Sequence, residues 1–237
     1  MSNDFFQFKA FTVRQGRAAM KVGTDGVLLG AWSAISGSPR RILDVGSGTG
    51  LIALMLAQRF PEASVDAVEI DHAAFLDSEE NIASSPFSDR VKAYNNDFQS
   101  FAERCDVRYD IVVSNPPYFI DAMKNPAKER AMARHSDSLA FADLVAGVDT
   151  LLAPQGLFAV ILPTESVDAF LLETSAHGML LSVHVSVKTT ERKLPRRHLL
   201  LFSKTLPSEI QRYTVCLQNN DGTRSQWYAE ETSAFYL

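Results

Sequence analysis

Cysteine is nearly absent. Cys105 and Cys216 are the only two in 237 residues, and neither has a Cys or His neighbour at metal-ligand spacing, which argues against a disulfide framework or a zinc site. No apolar run reaches the ~20 residues that a membrane-spanning helix needs. The opening MSNDFFQFKAF also lacks the charged-then-apolar order of a secretion signal, so a cytoplasmic protein with no membrane partner and no metal is expected. Internal repeats, low-complexity tracts and Gly/Ser-rich linkers are missing as well, which excludes solenoids and tethered arrays. What remains is a chain with 46% hydrophobic residues, enough to bury a full core.

A net charge of −5 speaks against a phosphate-rich partner, but the charge is unevenly spread. Residues 119–135 carry Lys124, Lys128, Arg130 and Arg134 against Asp121 and Glu129, and residues 188–204 carry six Lys or Arg against Glu191 alone. An acidic chain with two basic runs can present one basic face to nucleic acid, or simply two solvated loops.

Strand and helix patterns alternate. RILDV (41–45), SVDAVEI (64–70), VKAYN (91–95), YDIVVS (109–114) and GLFAVIL (156–162) read as buried strands. Between them, LIALMLAQRF (51–60), stopped by Pro61, DHAAFLDSEENIA (71–83) with a polar face, 138–152 and 166–177 read as helices. Two late strands, SVHVSVK and HLLLFSK, precede a turn at Asn220, Asp221 and Gly222 that suggests a closing hairpin. Alternation of this kind predicts a largely parallel α/β sheet covered on both faces, with ligands at the carboxyl ends of its strands.

The informative residues fall at those ends. Asp44-Val-Gly46-Ser-Gly48-Thr-Gly50 follows the first of these strands, where glycines permit a tight turn and the close approach of a ligand. Glu69 ends the second, about 20 residues on, the spacing at which an acid grips ribose hydroxyls. Asp97 and Phe98 follow the third, offering a carboxylate and a ring to an adenine, although Asp97 also suits a strand-end cap. Both a nicotinamide dinucleotide and S-adenosylmethionine fit such an acid. The third glycine comes one residue too early for G-x-G-x-x-G, and D-x-G-x-G-x-G resembles the class I methyltransferases.

The fourth strand separates the two cofactors. In SNPPY, two prolines without N–H groups force Asn115 out of the ladder. An exocyclic amine is a poor nucleophile until both its N–H bonds are directed at acceptors and its lone pair at the electrophile. The Asn115 side-chain oxygen and the Pro116 carbonyl can be those acceptors, Pro117 stiffens the turn, and Tyr118 can stack on the base at ~1–3 kcal/mol. Such a site works by positioning and needs no titrating base. It resembles the motif of amino-methyltransferases acting on adenine, guanine or glutamine amide nitrogens.

Phe8-Lys-Ala-Phe-Thr-Val13 and Met20-Lys-Val-Gly-Thr-Asp-Gly-Val-Leu-Leu-Gly-Ala-Trp32, together with VSNPPY, ERKLPRRHLLLFS and AFYL, resemble the bacterial tRNA1(Val) adenine-N6-methyltransferase family over nearly the whole chain. That resemblance implies a class I, Rossmann-like α/β fold with a mostly parallel seven-stranded sheet and an antiparallel C-terminal strand. It implies one methyltransferase domain over 1–237, with a cap segment (1–36), a core (37–205) and a C-terminal hairpin extension (206–237). The implied reaction is S-adenosylmethionine-dependent methylation of N6 of adenosine 37, next to the anticodon. The glycine loop (Asp44, Gly46, Gly48, Gly50), Glu69, Asp97, Phe98 and Asn115 would then hold the cofactor. Thr24 and Asp25, which look like the cap of a short helix VLLGAW, would cover its methionine end. Lys21 suits cofactor or phosphate equally. The two basic runs would meet the tRNA anticodon stem-loop, through Lys124, Lys128, Arg130 and Arg134 and through Arg192, Lys193, Arg196 and Arg197. Alternative readings are a protein glutamine N5-methyltransferase, an rRNA guanine N2-methyltransferase, and an RNA chaperone retaining the fold without turnover.

Overall fold

The structure, a computed structural model, describes residues 4–32, 34–117 and 139–237. Two short strands, β1 (Phe5–Gln7) and β2 (Thr12–Arg14), pair antiparallel, and helix α1 (Thr24–Ala31) follows. The alternating units come next: β3 (Arg41–Val45), α2 (Leu51–Arg59), β4 (Ser64–Glu69), α3 (His72–Ala83), β5 (Val91–Asn95), α4 (Phe98–Arg104) and β6 (Tyr109–Ser114). After residues 118–138 the chain continues as α5 (Phe141–Leu151), β7 (Leu152–Pro163), α6 (Val167–Ala176), β8 (Leu180–Lys188), β9 (Arg197–Ser203), β10 (Gln211–Cys216) and α7 (Gln226–Thr232).

The main sheet has the order β10-β8-β9-β7-β6-β3-β4-β5. Only β9 runs antiparallel to its neighbours, β7 and β8. Among the described residues the sheet has eight strands where the resemblance implies seven, because Gln211–Cys216 joins β8 in parallel as an extra edge. The turn expected from Asn220, Asp221 and Gly222 does form after it: Gly222 has φ +86° and the Asp221 carboxylate accepts the Thr223 amide at 2.9 Å. A single bridge, Gln218 to Arg224, is all the hairpin that results. Ser225 then caps α7 by accepting the Tyr228 amide; Trp227 and Tyr228 pack on the core from this helix, and Phe235 and Tyr236 from the segment after it.

Burial on both faces explains why the central strands read as continuous apolar runs. Side chains alternate across the pleat: Ile42, Ile111, Val113, Ala159 and Leu199 enter one core with α1, α2 and α7, whereas Leu43, Val112, Val160 and Leu200 enter the other with α4, α5 and α6. In α5 the residues Leu144, Val145, Val148 and Leu151 recur at helical spacing and are fully buried.

The chain's two ends are clasped together. The Lys9 amide donates to the Phe235 carbonyl at 2.8 Å and the Lys9 ammonium to the Ser233 carbonyl at 2.7 Å. Phe8 stacks on Phe11 and Tyr236, and Tyr236 shares a hydrogen bond with Tyr228.

Candidate active site

From β3 the chain builds outward through β4 and β5, then returns to place β6 on the other side of β3. The β3/β6 boundary is therefore the topological switch point, beyond whose carboxyl ends a parallel sheet opens its binding crevice. A cavity of about 790 Å³ lies there. Gly46, Gly48, Glu69, Asp97, Phe98, Asn115, Pro116 and Pro117 all line it. Four separate stretches of sequence thus converge on one space.

The glycine turn is held open by backbone geometry. Gly46 and Gly48 have φ +69° and +56°, in the region where L side chains are strained. A Cβ on either would meet nothing within 4 Å, so the loop leaves room for a ligand that such a side chain would occupy. Gly50 is different. It does not line the cavity, and its Cβ would fall 2.6 Å from the Ser78 hydroxyl, so this glycine serves the packing of α2 on α3.

Glu69 is nine-tenths buried and fastens the turn. One carboxylate oxygen accepts the Gly48 amide at 2.7 Å and the other accepts the Asp71 amide at 2.8 Å. Each oxygen retains a further lone pair for a hydroxyl. Burial raises its carboxyl above the usual range, while the amides of Asp71 and Gly48 pull it down.

Asp44 lies behind the loop, outside the cavity lining, and is fully buried. One oxygen accepts the Ala53 amide at 3.0 Å, tying the turn to the start of α2. The other has no partner in the structure. Burial pushes this carboxyl up to about 7, with the Ala53 amide opposing and the Glu69 charge adding. Between its ordinary pKa and about 7 the folded protein keeps a proton that the unfolded chain has released. The group's stabilisation is therefore complete below its ordinary pKa, declines as pH rises and is gone once pH has passed about 7. Unfolding free energies from urea titrations, taken relative to Asp44→Asn, should fall as pH rises from the ordinary carboxylate range to about 7 and level off above. A difference between the two proteins that does not change with pH would refute the assignment.

Asp97 caps α4, its carboxylate accepting the Ser100 amide at 2.8 Å, a bond that lowers its pKa. It faces the cavity all the same. Phe98 is nearly buried, with its ring edge against Gly147 of α5. At the end of β6 the Ser114 hydroxyl donates to the Val45 carbonyl at 2.9 Å, locking the two strands whose ends carry Asn115 and Gly46.

Other expected residues lie elsewhere. Gly23, not Thr24, is the residue before the first turn of α1, and it makes no side-chain cap. Neither Thr24 nor Asp25 lines the cavity. Asp25 instead pairs with Arg197 at 2.6 Å, which commits Arg197 to the protein, whereas Arg192, Lys193 and Arg196 are exposed. Lys21 donates to the Gln15 carbonyl. Tyr118, Lys124, Lys128, Arg130 and Arg134 fall outside the described residues. Among the described residues, no group of three His, Cys, Asp or Glu is placed to hold a metal, and no helix is long and apolar enough to cross a membrane.

One wall of the cavity goes unsignalled in the sequence. Ala18, Ala19 and Met20 line it from the segment after β2. Asp77, on the α3 face that reads as polar in sequence, accepts the Ala18 amide at 2.9 Å, and Asn81 on the same face accepts the amide of Arg14 at the end of β2.

Residues 23–156 match the model of the methyltransferase small domain. A protein of Bacteroides thetaiotaomicron named tRNA1(Val) (adenine(37)-N6)-methyltransferase is 42% identical over 100% of this chain and 99% of its own length. One of the same name from Bacteroides fragilis strain YCH46 is 47% identical with the same coverage. Among solved structures, that of a predicted O-methyltransferase from Agrobacterium tumefaciens superposes with a TM-score of 0.70 at 16% identity, over 89% of this chain and 96% of that one. At that identity the likeness is one of fold.

Proposed function

Because this chain belongs to the tRNA1(Val) (adenine(37)-N6)-methyltransferase family, we propose that it methylates N6 of adenosine 37, beside the anticodon of tRNA1(Val), using S-adenosylmethionine. The observation that carries the reading is the convergence of Asn115 and Pro116 with Gly46, Gly48 and Glu69 on one cavity across the switch point. A cavity of this volume suits a nucleoside-sized ligand. S-adenosylmethionine supplies an activated methyl carbon on a sulfonium. Glu69 would hold the ribose hydroxyls, Asp97 would accept from the adenine amine of the cofactor, and the substituent-free turn at Gly46 and Gly48 would leave room for the methionine portion.

On the substrate side, the Asn115 side-chain oxygen and the Pro116 carbonyl accept the two N–H bonds of the target amine. That leaves the nitrogen lone pair directed at the methyl carbon. Pro116 and Pro117 fix φ, so the acceptors are set before the base arrives, and the rate gain comes from orientation rather than from a titrating group. Asn115, and Tyr118 after it, would hold an adenosine splayed from its loop, where unstacking costs less than in a duplex. A tRNA substrate puts the reaction in the cytoplasm.

Arg192, Lys193 and Arg196 lie on the loop between β8 and β9. That loop is braced by the Lys193 amide on the Thr190 carbonyl and the Thr164 hydroxyl on the Pro195 carbonyl. Leu194, 83% exposed among these cations, offers an apolar contact to an unpaired base. We assign this loop to the tRNA backbone, without Arg197.

The reading is tested by incubating the protein with labelled S-adenosylmethionine and total tRNA from a strain lacking the gene. Label in N6-methyladenosine next to the anticodon is expected; label in N2-methylguanosine, in protein glutamine, or nowhere overturns it. In the same assay, changing Arg192, Lys193 and Arg196 together to Glu should weaken tRNA binding about 10- to 100-fold at moderate salt and flatten the salt dependence. Cofactor affinity should survive. Unchanged tRNA affinity would remove the loop from the interface.

A further inference from the structure

A densely hydrogen-bonded polar cluster lies behind the cavity, on the face of α3 turned toward the N-terminal segment. Asp77 and Asn81 are each 1% exposed. One Asp77 oxygen accepts the amides of Arg17 and Ala18, both at 2.9 Å, and the other accepts the Arg17 guanidinium at 2.8 Å. Glu80, then Asp77, hold that guanidinium in its charged form. Asn81 accepts the Arg14 amide at 2.7 Å and donates to two carbonyls, Arg14 at 2.8 Å and Thr49 at 2.9 Å.

These bonds join two walls of one cavity. Thr49 belongs to the glycine turn, and Arg17 and Ala18 lead into the Ala18–Met20 wall. Between them lies a single helical turn of α3 whose side chains reach both. Gln15, itself buried, closes the far end by accepting the Val22 amide at 2.7 Å. Without this clamp the segment after β2 would have to be ordered by the ligand, and the ordering cost would be deducted from the affinity.

We infer that Asp77 and Asn81 are positioning residues for the cofactor, setting its affinity by clamping the Arg14–Met20 segment and the glycine turn to one helix. The inference rests on the proposal that the cavity holds S-adenosylmethionine. Neither residue lines the cavity. Asp77→Asn keeps the shape but turns an amide NH₂ toward N–H donors, and Asn81→Ala leaves two carbonyls and an amide without partners.

The test is calorimetric titration of the full chain with S-adenosylmethionine at about 10 °C, where both variants are kept folded, as verified by circular dichroism. Each variant should bind about 10- to 100-fold more weakly than wild type. The KM for S-adenosylmethionine should rise in step, while kcat at saturating cofactor falls by less than about threefold. Hydrogen exchange gives a second readout: the Arg17 and Ala18 amides should exchange faster in Asp77→Asn, with protection restored by cofactor. That readout also covers a variant too unstable for calorimetry, because local opening is measured on its folded fraction. A lowered melting temperature with wild-type affinity and wild-type exchange at these amides would overturn the inference, since a merely structural role predicts that pattern. Absence of binding by the wild type would instead overturn the cofactor reading beneath it.

Discussion

Asn115→Ala should reduce methyl transfer about 10²- to 10³-fold in kcat, with S-adenosylmethionine affinity within about threefold of wild type. The magnitude follows from what removing one preorganised hydrogen-bonding group costs where charge develops. Asn115 stands at the end of β6, on a strand whose last residue is hydrogen-bonded to β3, and it opens into the cavity beside Pro116 and Pro117. On the proposed geometry, deleting its amide would remove one of two acceptors and leave the glycine turn and Glu69 intact, so the target nitrogen would lose its orientation while the cofactor kept its seat. Asn115→Asp, which retains an acceptor oxygen, should keep more activity than the alanine variant. Single-turnover rates with saturating tRNA make the measurement, and a normal rate for Asn115→Ala would rule out the proposed amine geometry.

Glu69→Ala should raise the dissociation constant for S-adenosylmethionine roughly 10²- to 10³-fold. Two backbone amides, those of Gly48 and Asp71, donate to this carboxylate, and hydrogen bonds to a charged group are each worth about 1.5–3 kcal/mol. Loss of the side chain therefore frees the turn that forms one wall of the cavity and, on the proposed function, would also remove the acceptors for the ribose. Glu69→Gln, with one acceptor oxygen left, should fall between. Titration of the two variants separates these contributions, and an alanine variant that bound within threefold of wild type would show that Glu69 serves the fold alone.

The parts of this fold that are legible in sequence are those whose cause is local. RILDV, SVDAVEI and YDIVVS are rich in apolar residues because helices cover both faces of a parallel sheet; a strand with one wet face would alternate apolar and polar instead. The glycine turn and Glu69 are legible together because one βαβ unit fixes the number of residues between them. Edge strand β10 is not: in QRYTVC only Val215 is buried, so no alternation marks it. The Asp25–Arg197 pair joins residues 172 positions apart, so in sequence the one reads as part of a helix cap and the other as one more cation of a basic run. Asp77 and Asn81 are the sharper case. A polar helix face reads the same whether water or a neighbouring backbone satisfies it, and here the partners lie 60 and 67 residues upstream, outside any local window. A buried carboxylate accepting backbone amides is a tertiary fact.

The clasp between Lys9 and Phe235 has a consequence for biosynthesis. Lys9 leaves the ribosome long before Ser233, 224 positions later, can be added. During most of translation the strand pair at the start of the chain therefore lacks the Tyr236 ring against which Phe6 and Phe8 pack, although α3 is already available to receive it. The cavity wall is made early but sealed late, so a nascent polypeptide stalled after β10 would have Gly46, Glu69 and Asn115 in place under a loosely seated N-terminal strand pair.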